Sequence, residues 1–219
     1  MPPSTTRAPG DVVVIGAGGH AKVCVEILRE TGSRVRACIV SDEHAGAPQE
    51  CLGVPVLVGL SRLAALRSEG IVSLFVAIGD NRARHALAVE ACTRYDMRLV
   101  NVVSPTAAVA PSVRCGRGVV IMRGAVVSTD VTLADLVVIN GGAVIEHDCV
   151  IGEAAHVAPG CALGGGVVVG ARALVGIGSS VIPRTRIGSD AVVGAGSAVV
   201  RDVPEGVVVA GVPARSIPR

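Results

Sequence analysis

The sequence predicts a chain in two parts: an α/β N-terminal domain with a small Rossmann-like parallel sheet, then an all-β parallel β-helix. Three observations carry this. From Val109 to Val199 an aliphatic residue or Cys recurs every sixth position, sixteen times without a slip. Ahead of that tract, short apolar strands alternate with helical patterns, and the first strand runs straight into a Gly-rich turn. The chain also holds one Phe, one Tyr and no Trp, as suits a thin prism stacked with Val and Ile, which has no room for large rings.

In chain order, residues 1–10 are rich in Pro, Ser and Thr and lack the apolar core of a signal peptide, which predicts a disordered leader. Residues 11–103 form the first domain. A buried strand (Val12 to Ile15) leads into Gly16-Ala17-Gly18-Gly19-His20-Ala21-Lys22. A helix with apolar spacing at Val23, Ile27 and Leu28 follows, ending near Gly32. A second strand (Val35 to Val40) ends at Ser41-Asp42-Glu43. Then come a helix over Leu60 to Ser68, a strand over Leu74 to Ile78, the turn Gly79-Asp80-Asn81, and a helix from Arg82 to Tyr95. Such alternation gives a parallel sheet with its ligand at the carboxyl ends of the strands. There the glycines, Asp42 and the Gly79-Asp80-Asn81 turn converge. Gly16-x-Gly18-x-x-Ala21 also matches a dinucleotide fingerprint, but a dinucleotide site needs two mononucleotide halves and this domain has room for one. One nucleotide is therefore expected. Backbone N–H groups at the helix start suffice to hold phosphate, so His20 either reaches the ligand or only packs the helix start.

Residues 104–219 form the second domain. A short fixed period marks a solenoid. In each hexad one aliphatic side chain points inward, and the residue four places on is small or β-branched. Gly follows the aliphatic residue at positions 116, 152, 164, 170, 176, 188 and 194. Three hexads make a triangular coil of eighteen residues, so sixteen hexads give about five coils stacked about 4.8 Å apart. A β-sandwich would show period two with irregular turns and cannot produce sixteen consecutive hits.

Composition excludes several functions. A net charge of +2 with scattered Arg offers no basic cluster for nucleic acid. No apolar run approaches eighteen residues free of Gly and charge, so no membrane span is expected. Seven Cys at irregular spacing, without an export signal, read as reduced thiols in a cytoplasmic protein. Cys115, Cys149 and Cys161 fall on the hexad frame, where they act as small hydrophobes.

The chemistry lies in the run from Ile139 to Cys149. Ile145 and Cys149 take the inward and small positions, so His147 and Asp148 between them can face outward. A solvent-facing His beside a carboxylate is a candidate general base. Eighteen residues beyond His147, one coil above it, is Gly165 in the run Gly164-Gly165-Gly166. A bare backbone N–H one strand spacing from a His suits an oxyanion donor beside a base. A solvated His on a β-helix face is the bland alternative.

From Val12 to Arg215 the chain resembles the hexapeptide-repeat acyltransferases that acetylate amino sugars on nucleotide carriers, together with sialic acid O-acetyltransferase-like proteins. The likeness rests on the Gly16 to Lys22 turn, Ala77-Ile78-Gly79-Asp80-Asn81, the segment Asn140 to Gly152 with Glu146-His147-Asp148-Cys149, and the closing Gly211-Val212-Pro213-Ala214-Arg215. It implies a left-handed helix, although parallel crossovers are otherwise right-handed. It also implies a homotrimer with sites between subunits, acetyl-CoA as donor, no metal, and a nucleotide-linked amino sugar, a 4-amino-4,6-dideoxy sugar for surface glycans, held by the N-terminal domain. By resemblance His147 matches the catalytic base, Asp148 the acid that orients it, and Asn140 a residue near the acceptor amine. His156, Gly164 and Gly165 match contacts to the thioester. Ile177, Ala195 and Arg215 match positions along CoA, while Gly18, Gly19, His20, Asp42, Asp80, Asn81 and Arg84 match the nucleotide side. Asn140-Gly141-Gly142 departs from relatives that carry Thr or Ser after Asn, which bears on sugar preference.

The leading expectation is N-acetylation of that amino sugar, and the nearest rival is O-acetylation of a sugar hydroxyl by the same His. A zinc hydratase on this solenoid would need about three converging His, whereas only His147 and His156 lie in the hexads. A non-catalytic structural or sugar-sensing solenoid has no use for an outward His under a Gly triplet.

Overall fold

The computed structural model describes residues 10–42, 46 and 48–217, so all of the expected leader except Gly10 lies outside the described residues. Contacts divide the chain into two compact units, with the boundary between Pro105 and Thr106.

The first unit is built on a six-stranded sheet. Its elements in chain order are β1 (Asp11–Ile15), α1 (Gly19–Glu30), β2 (Arg34–Val40), β3 (Glu50–Cys51), β4 (Val54–Val58), α2 (Arg62–Ser68), β5 (Ser73–Val76), α3 (Asn81–Tyr95) and β6 (Arg98–Leu99). The strand order is β3-β4-β2-β1-β5-β6, parallel throughout except for the short β3–β4 hairpin. Sequence reasoning assigned neither that hairpin, whose second strand is interrupted by Pro55, nor the two-residue β6. Val12 to Ile15 and Leu74 to Val76 are buried, as central strands covered on both faces must be. β1 sits at the centre. The chain builds outward from it on one side through β2 and β4, then returns to its other side with β5. The crevice between the β1 and β5 ends is thus the reversal point, where open α/β sheets take ligands.

Helix α1 buries Ala21, Cys24, Val25, Ile27 and Leu28, an i, i+3, i+4, i+7 face. Val23 was expected on that face but is only half-buried; with the helix starting at Gly19, the stripe set by Ala21 runs through Cys24 and Val25. The helix stops at Thr31, with Gly32 at φ 83°. Helix α3 is capped by Asp80, whose Oδ1 accepts the Ala83 N–H at 2.8 Å, and it ends in left-handed Asp96 at φ 52°.

The second unit is a parallel β-helix. Two-residue strands follow one another every six residues, and each pairs in parallel with the strand eighteen residues on, Val126 with Val144, Val138 with His156 and Ser180 with Ala198. Three flat sheets result. One carries Val138, His156 and Leu174, the next Val144, Ala162 and Ser180, and the third Val150, Val168 and Arg186. From Ile121 to Val199 every hexad aliphatic is at most 3% exposed, so the six-residue count is the core itself. The small positions are buried too, from Val113 to Ser197. Two of the hydroxylic ones, Ser179 and Ser197, both donate to the Gly194 carbonyl, at 2.9 and 2.7 Å. The count fails once. Val203, expected at a small position, stacks on Ile187, and Val209 pairs with Val193, so the last coil is sixteen residues long, two short of the repeat.

Corners differ in chemistry. One runs Gly124, Gly142, Gly160, Gly178, Gly196, all at φ 67–69°, the left-handed region where Gly meets no Cβ penalty. Another runs Asp130, Asp148, Gly166, Arg184 at φ 57–70°. All seven Cys are free thiols, and burial pushes the Cys24 thiol up to about 12. No helix among the described residues is long and apolar enough to cross a membrane.

Candidate active site

The corner after strand Val144–Ile145 is where inward and outward residues part. Ile145 and Cys149 are fully buried, while the side chains of His147 and Asp148 between them are 63% and 66% exposed. Asp148 takes φ 61°, a conformation that Asp tolerates because its short polar side chain can bond locally. His147 Nδ1 lies 2.7 Å from Asp148 Oδ2. Facing a carboxylate, Nδ1 is the donor of the pair, so in the neutral ring Nε2 is the nitrogen with the lone pair.

One coil up, Gly165 has no Cβ, and the imidazole occupies the place a Cβ would take. A Cβ there would stand 2.6 Å from both Cε1 and Nε2 of His147. The chain around it is fixed by the Gly166 N–H donating to the His147 carbonyl at 2.8 Å and the Arg184 N–H donating to the Gly165 carbonyl at 2.9 Å. Among the described residues the Gly165 N–H donates to no protein group. A lone-pair nitrogen and an unspent backbone donor therefore stand side by side. Gly164 serves packing, since a Cβ would meet the Pro183 ring at 2.7 Å.

At the other end of strand Val144–Ile145 is the corner that opens with Asn140. Its Oδ1 accepts the Gly141 N–H at 2.8 Å, and its Nδ2 stands 3.2 Å from His156 Nε2. Sequence reasoning did not connect these two residues. His156 pairs with Val138, two residues short of Asn140, and only the reach of the side chains closes the gap. Ile177 and Ala195 hold equivalent positions along this same Gly-rich corner, the Gly196 N–H donating to the Ile177 carbonyl at 2.8 Å, and both are exposed. Exposed Arg215 lies on the strand Arg215–Ser216 that closes antiparallel on Val208–Ala210.

In the first unit the expected turns do converge. The Gly16 N–H donates to Ile39, the Ala77 N–H to Ile15 and the Gly59 N–H to Val40, at 2.7 to 2.9 Å. Gly16, at φ 118°, passes so close to the Ala77 carbonyl that a Cβ would be 2.7 Å from its oxygen. Gly18 and Gly19 are exposed at the start of α1. Asp42 lies against Gly59, whose Cβ would be 2.9 Å from Asp42 Oδ1; sequence reasoning missed this neighbour.

Arg84 was grouped with the ligand side, yet it is fully buried. Its guanidinium donates to the carbonyls of Ile78 and Gly79 and to Asn81 Oδ1, at 3.0, 3.2 and 2.9 Å, contacts that shape the turn itself. Burial lowers Arg84 to about 10, against the pull of Asp80. His20 Nε2 is buried and has no hydrogen-bond partner among the described residues. Burial, and then the Arg84 charge, lower His20 to about 4, so it is neutral at pH 7. Among the described residues no group of three or more His, Cys, Asp or Glu could hold a metal ion.

Comparison with known proteins gives these features a setting. A family model described as PglD N-terminal domain matches residues 11–91. A histidine-to-alanine variant of GDP-perosamine N-acetyltransferase from Caulobacter crescentus, solved with CoA and GDP-perosamine, is 47% identical. The match covers 97% of this chain and 99% of that one, at a TM-score of 0.91. The acetyltransferase domain of PglB from Neisseria gonorrhoeae, solved with acetyl coenzyme A, is 33% identical over 96% of this chain and 100% of that one, at a TM-score of 0.88. A curated relative, an uncharacterized protein of Acanthamoeba polyphaga mimivirus, is 30% identical over 124 residues, which are 57% of this chain but only 24% of that protein. The architecture is that of a small α/β domain followed by a left-handed parallel β-helix.

Proposed function

The chain belongs to the hexapeptide-repeat sugar acetyltransferases, and from that premise we propose that it transfers the acetyl group of acetyl-CoA to the amino group of a nucleotide-linked amino sugar. The acceptor we assign first is GDP-perosamine, the ligand of relatives that share 47% identity over nearly the whole chain; this fits the expected 4-amino-4,6-dideoxy sugar. The observation that carries the reading is the His147 ring laid against Gly165 with Nδ1 committed to Asp148.

The neutral sugar amine attacks the thioester carbonyl carbon, and the C=O pair becomes an oxyanion. His147 Nε2 takes the proton that the nitrogen sheds, while Asp148 holds the ring in the productive tautomer and offsets the charge it gains. The Gly165 N–H donates to the oxyanion. Collapse of the intermediate reforms the carbonyl and breaks the C–S bond, and the CoA thiolate departs to be protonated by the His147 imidazolium. Every step uses groups of the chain and the two substrates.

The two units divide the substrates in this proposal. The turn Gly18-Gly19, the neutral His20, Asp42 and the Asp80-Asn81 cap receive the nucleotide, with Arg84 holding the shape of the second turn. The Gly-rich corner with Ile177 and Ala195, and then Arg215, receives CoA. Asn140 and His156 lie at the corner before strand Val144–Ile145 and His147 at the corner after it, so we assign them to sites shared between copies. A neighbouring copy would then supply Asn140 and His156 opposite His147, in the homotrimer that the family resemblance implies. We place the enzyme in the cytoplasm, a reading that fits the lack of any membrane-crossing helix among the described residues.

The test is to supply acetyl-CoA with GDP-perosamine and with other nucleotide amino sugars while following free thiol and the N-acetylated product. Thiol release with an amine acceptor is the expected result. Release only with hydroxyl acceptors, or with none, would overturn it.

A further inference from the structure

We infer that Arg201 binds a phosphate of the acyl donor, and that the catalytic corner itself forms a wall of the donor site, along which the pantetheine arm climbs from His147 past Ile182 and Val200. That role rests on the acetyltransferase reading and deepens it, since only the Gly-rich corner and Arg215 have so far been assigned to CoA.

A constant coil of eighteen residues stacks the corner after strand Val144–Ile145 into columns. On the N-terminal side of the Gly triplet the corner is acidic, with Asp130 under Asp148 and Glu146 beside His147. On the other side it changes sign and polarity. Ile182, Pro183 and Arg184 stand over Gly164, Gly165 and Gly166, and the Arg184 N–H donates to the Gly165 carbonyl at 2.9 Å. One coil further Val181 still pairs with Val199, and the Ile182 N–H donates to the Val199 carbonyl at 3.1 Å. Val200 therefore stands over Ile182, and Arg201 comes next, before the coil shortens.

A ligand arm leaving the acetyl site has two directions along this corner, and charge decides between them. Toward the N-terminal coils a diphosphate meets the exposed carboxylates of Glu146, Asp148 and Asp130. Toward the C-terminal coils the arm meets Ile182 and Val200, 47% and 37% exposed, and then the exposed cations Arg184 and Arg201. Neither cation has an ion pair or a side-chain hydrogen bond among the described residues. An apolar step followed by unpaired cations suits an arm that is uncharged along its length and anionic at its far end. Length agrees. Sulfur and phosphorus of a phosphopantetheine arm are more than a dozen bonds apart, roughly 15 Å when extended, and the three coils from His147 to Arg201 rise about 14 Å. Arg184 stands one coil lower, with its Cγ 3.6 Å from where a Gly166 Cβ would be, so its stem turns back toward the reacting end. Asp202, the carboxylate beside Arg201, is already engaged, its Oδ1 accepting the Arg186 N–H at 2.8 Å.

The experiment compares acetyl-CoA with acetyl-pantetheine, which keeps the arm and lacks every phosphate, as donors to GDP-perosamine for the wild type and Arg201→Ala. Calorimetric titration of CoA into each protein runs beside it. Arg201→Ala should raise KM for acetyl-CoA and Kd for CoA about tenfold, the size of one charge-assisted contact. It should leave kcat and KM for acetyl-pantetheine unchanged. Arg201→Gln keeps the stem and loses the charge; it should behave alike, and it decides the case if the alanine variant fails to fold. Unchanged KM and Kd in the variants overturn the inference. So does an equal rise in KM with acetyl-pantetheine, which would make Arg201 a residue of shape and not of charge. A protein that transfers no acetyl group yet binds CoA about tenfold more weakly without Arg201 refutes the acetyltransferase reading and leaves the donor wall standing. A wild type that binds no CoA overturns both.

Discussion

Replacing Gly165 with alanine separates the catalytic arrangement from the fold that carries it. A Cβ at this position would lie 2.6 Å from Cε1 and Nε2 of His147 and 3.2 Å from Nδ1. Non-bonded carbon atoms settle at about 3.5–4.0 Å, so the ring must withdraw by about 1 Å. Gly165 itself is outside the positive-φ region, and alanine adds no backbone strain there. The ring is an exposed side-chain end that can swing away, so unfolding free energy should change by about 1 kcal/mol or less, as for other substitutions that bury nothing new. Catalysis has no such freedom. A reacting group displaced by about 1 Å loses on the order of 10²-fold in rate, and here the displaced atom is the proton-accepting nitrogen. Initial rates of thiol release with saturating acetyl-CoA and GDP-perosamine, beside a thermal melt, give both quantities. A folded Gly165→Ala enzyme with wild-type kcat would refute the claim that the ring must rest against residue 165. A large loss of stability would make Gly165 a packing glycine like Gly164.

Asp148→Asn keeps the size of the side chain and suits the left-handed backbone at that position; kcat should fall by less than in a His147 variant, because the carboxylate acts on the proton only through the ring, and a steady-state loss as large as that of His147→Ala would contradict this. Gly18 is exposed with open space around a would-be Cβ, so Gly18→Leu should fold, raise KM for the sugar nucleotide and leave KM for acetyl-CoA nearly unchanged; equal changes in both would count against the division of substrates. His20 supplies a pH signature. Its folded pKa of about 4 lies below the unfolded 6.5, so the unfolded chain binds more protons, and the contribution is complete above about pH 6.5 and lost as pH falls toward 4. Between pH 7.5 and 5, urea unfolding of the wild type should lose about 2 kcal/mol more than that of His20→Asn, and equal losses would refute the burial argument.

The period of six could be read from the sequence because one narrow core dictates it, and fourteen successive inward residues from Ile121 onward obey it. The pairing of His147 with Gly165 was legible for the same reason, since a constant eighteen-residue coil turns separation into adjacency. Where that rule bends, the sequence says little. The shortened coil that stacks Val203 on Ile187 shows in the sequence only as the end of the count, Glu205 standing where the next inward residue would fall, and nothing there says that the coil continues two residues short. The Asn140 to His156 contact spans sixteen residues and depends on side-chain reach. In the first unit the resemblance put Arg84 on the nucleotide side, but its guanidinium is buried and donates to the Ile78 and Gly79 carbonyls; nothing in the sequence marks an arginine as buried. The β3–β4 hairpin was passed over because strands of two and five residues show too few alternations to register.

The central claim is that His147 removes the proton from the attacking amine, and His147→Ala measured by kcat for acetyl transfer tests it most directly. The side chain is largely exposed, so its removal should leave the coil and both binding regions in place. Positioned proton transfer contributes about 10² to 10⁴-fold, and kcat should fall by that factor while KM for acetyl-CoA and for the sugar nucleotide stay near wild-type values. A His147→Ala enzyme that turns over at the wild-type rate would contradict the account, leaving the β-helix as a scaffold that aligns an already neutral amine with the thioester.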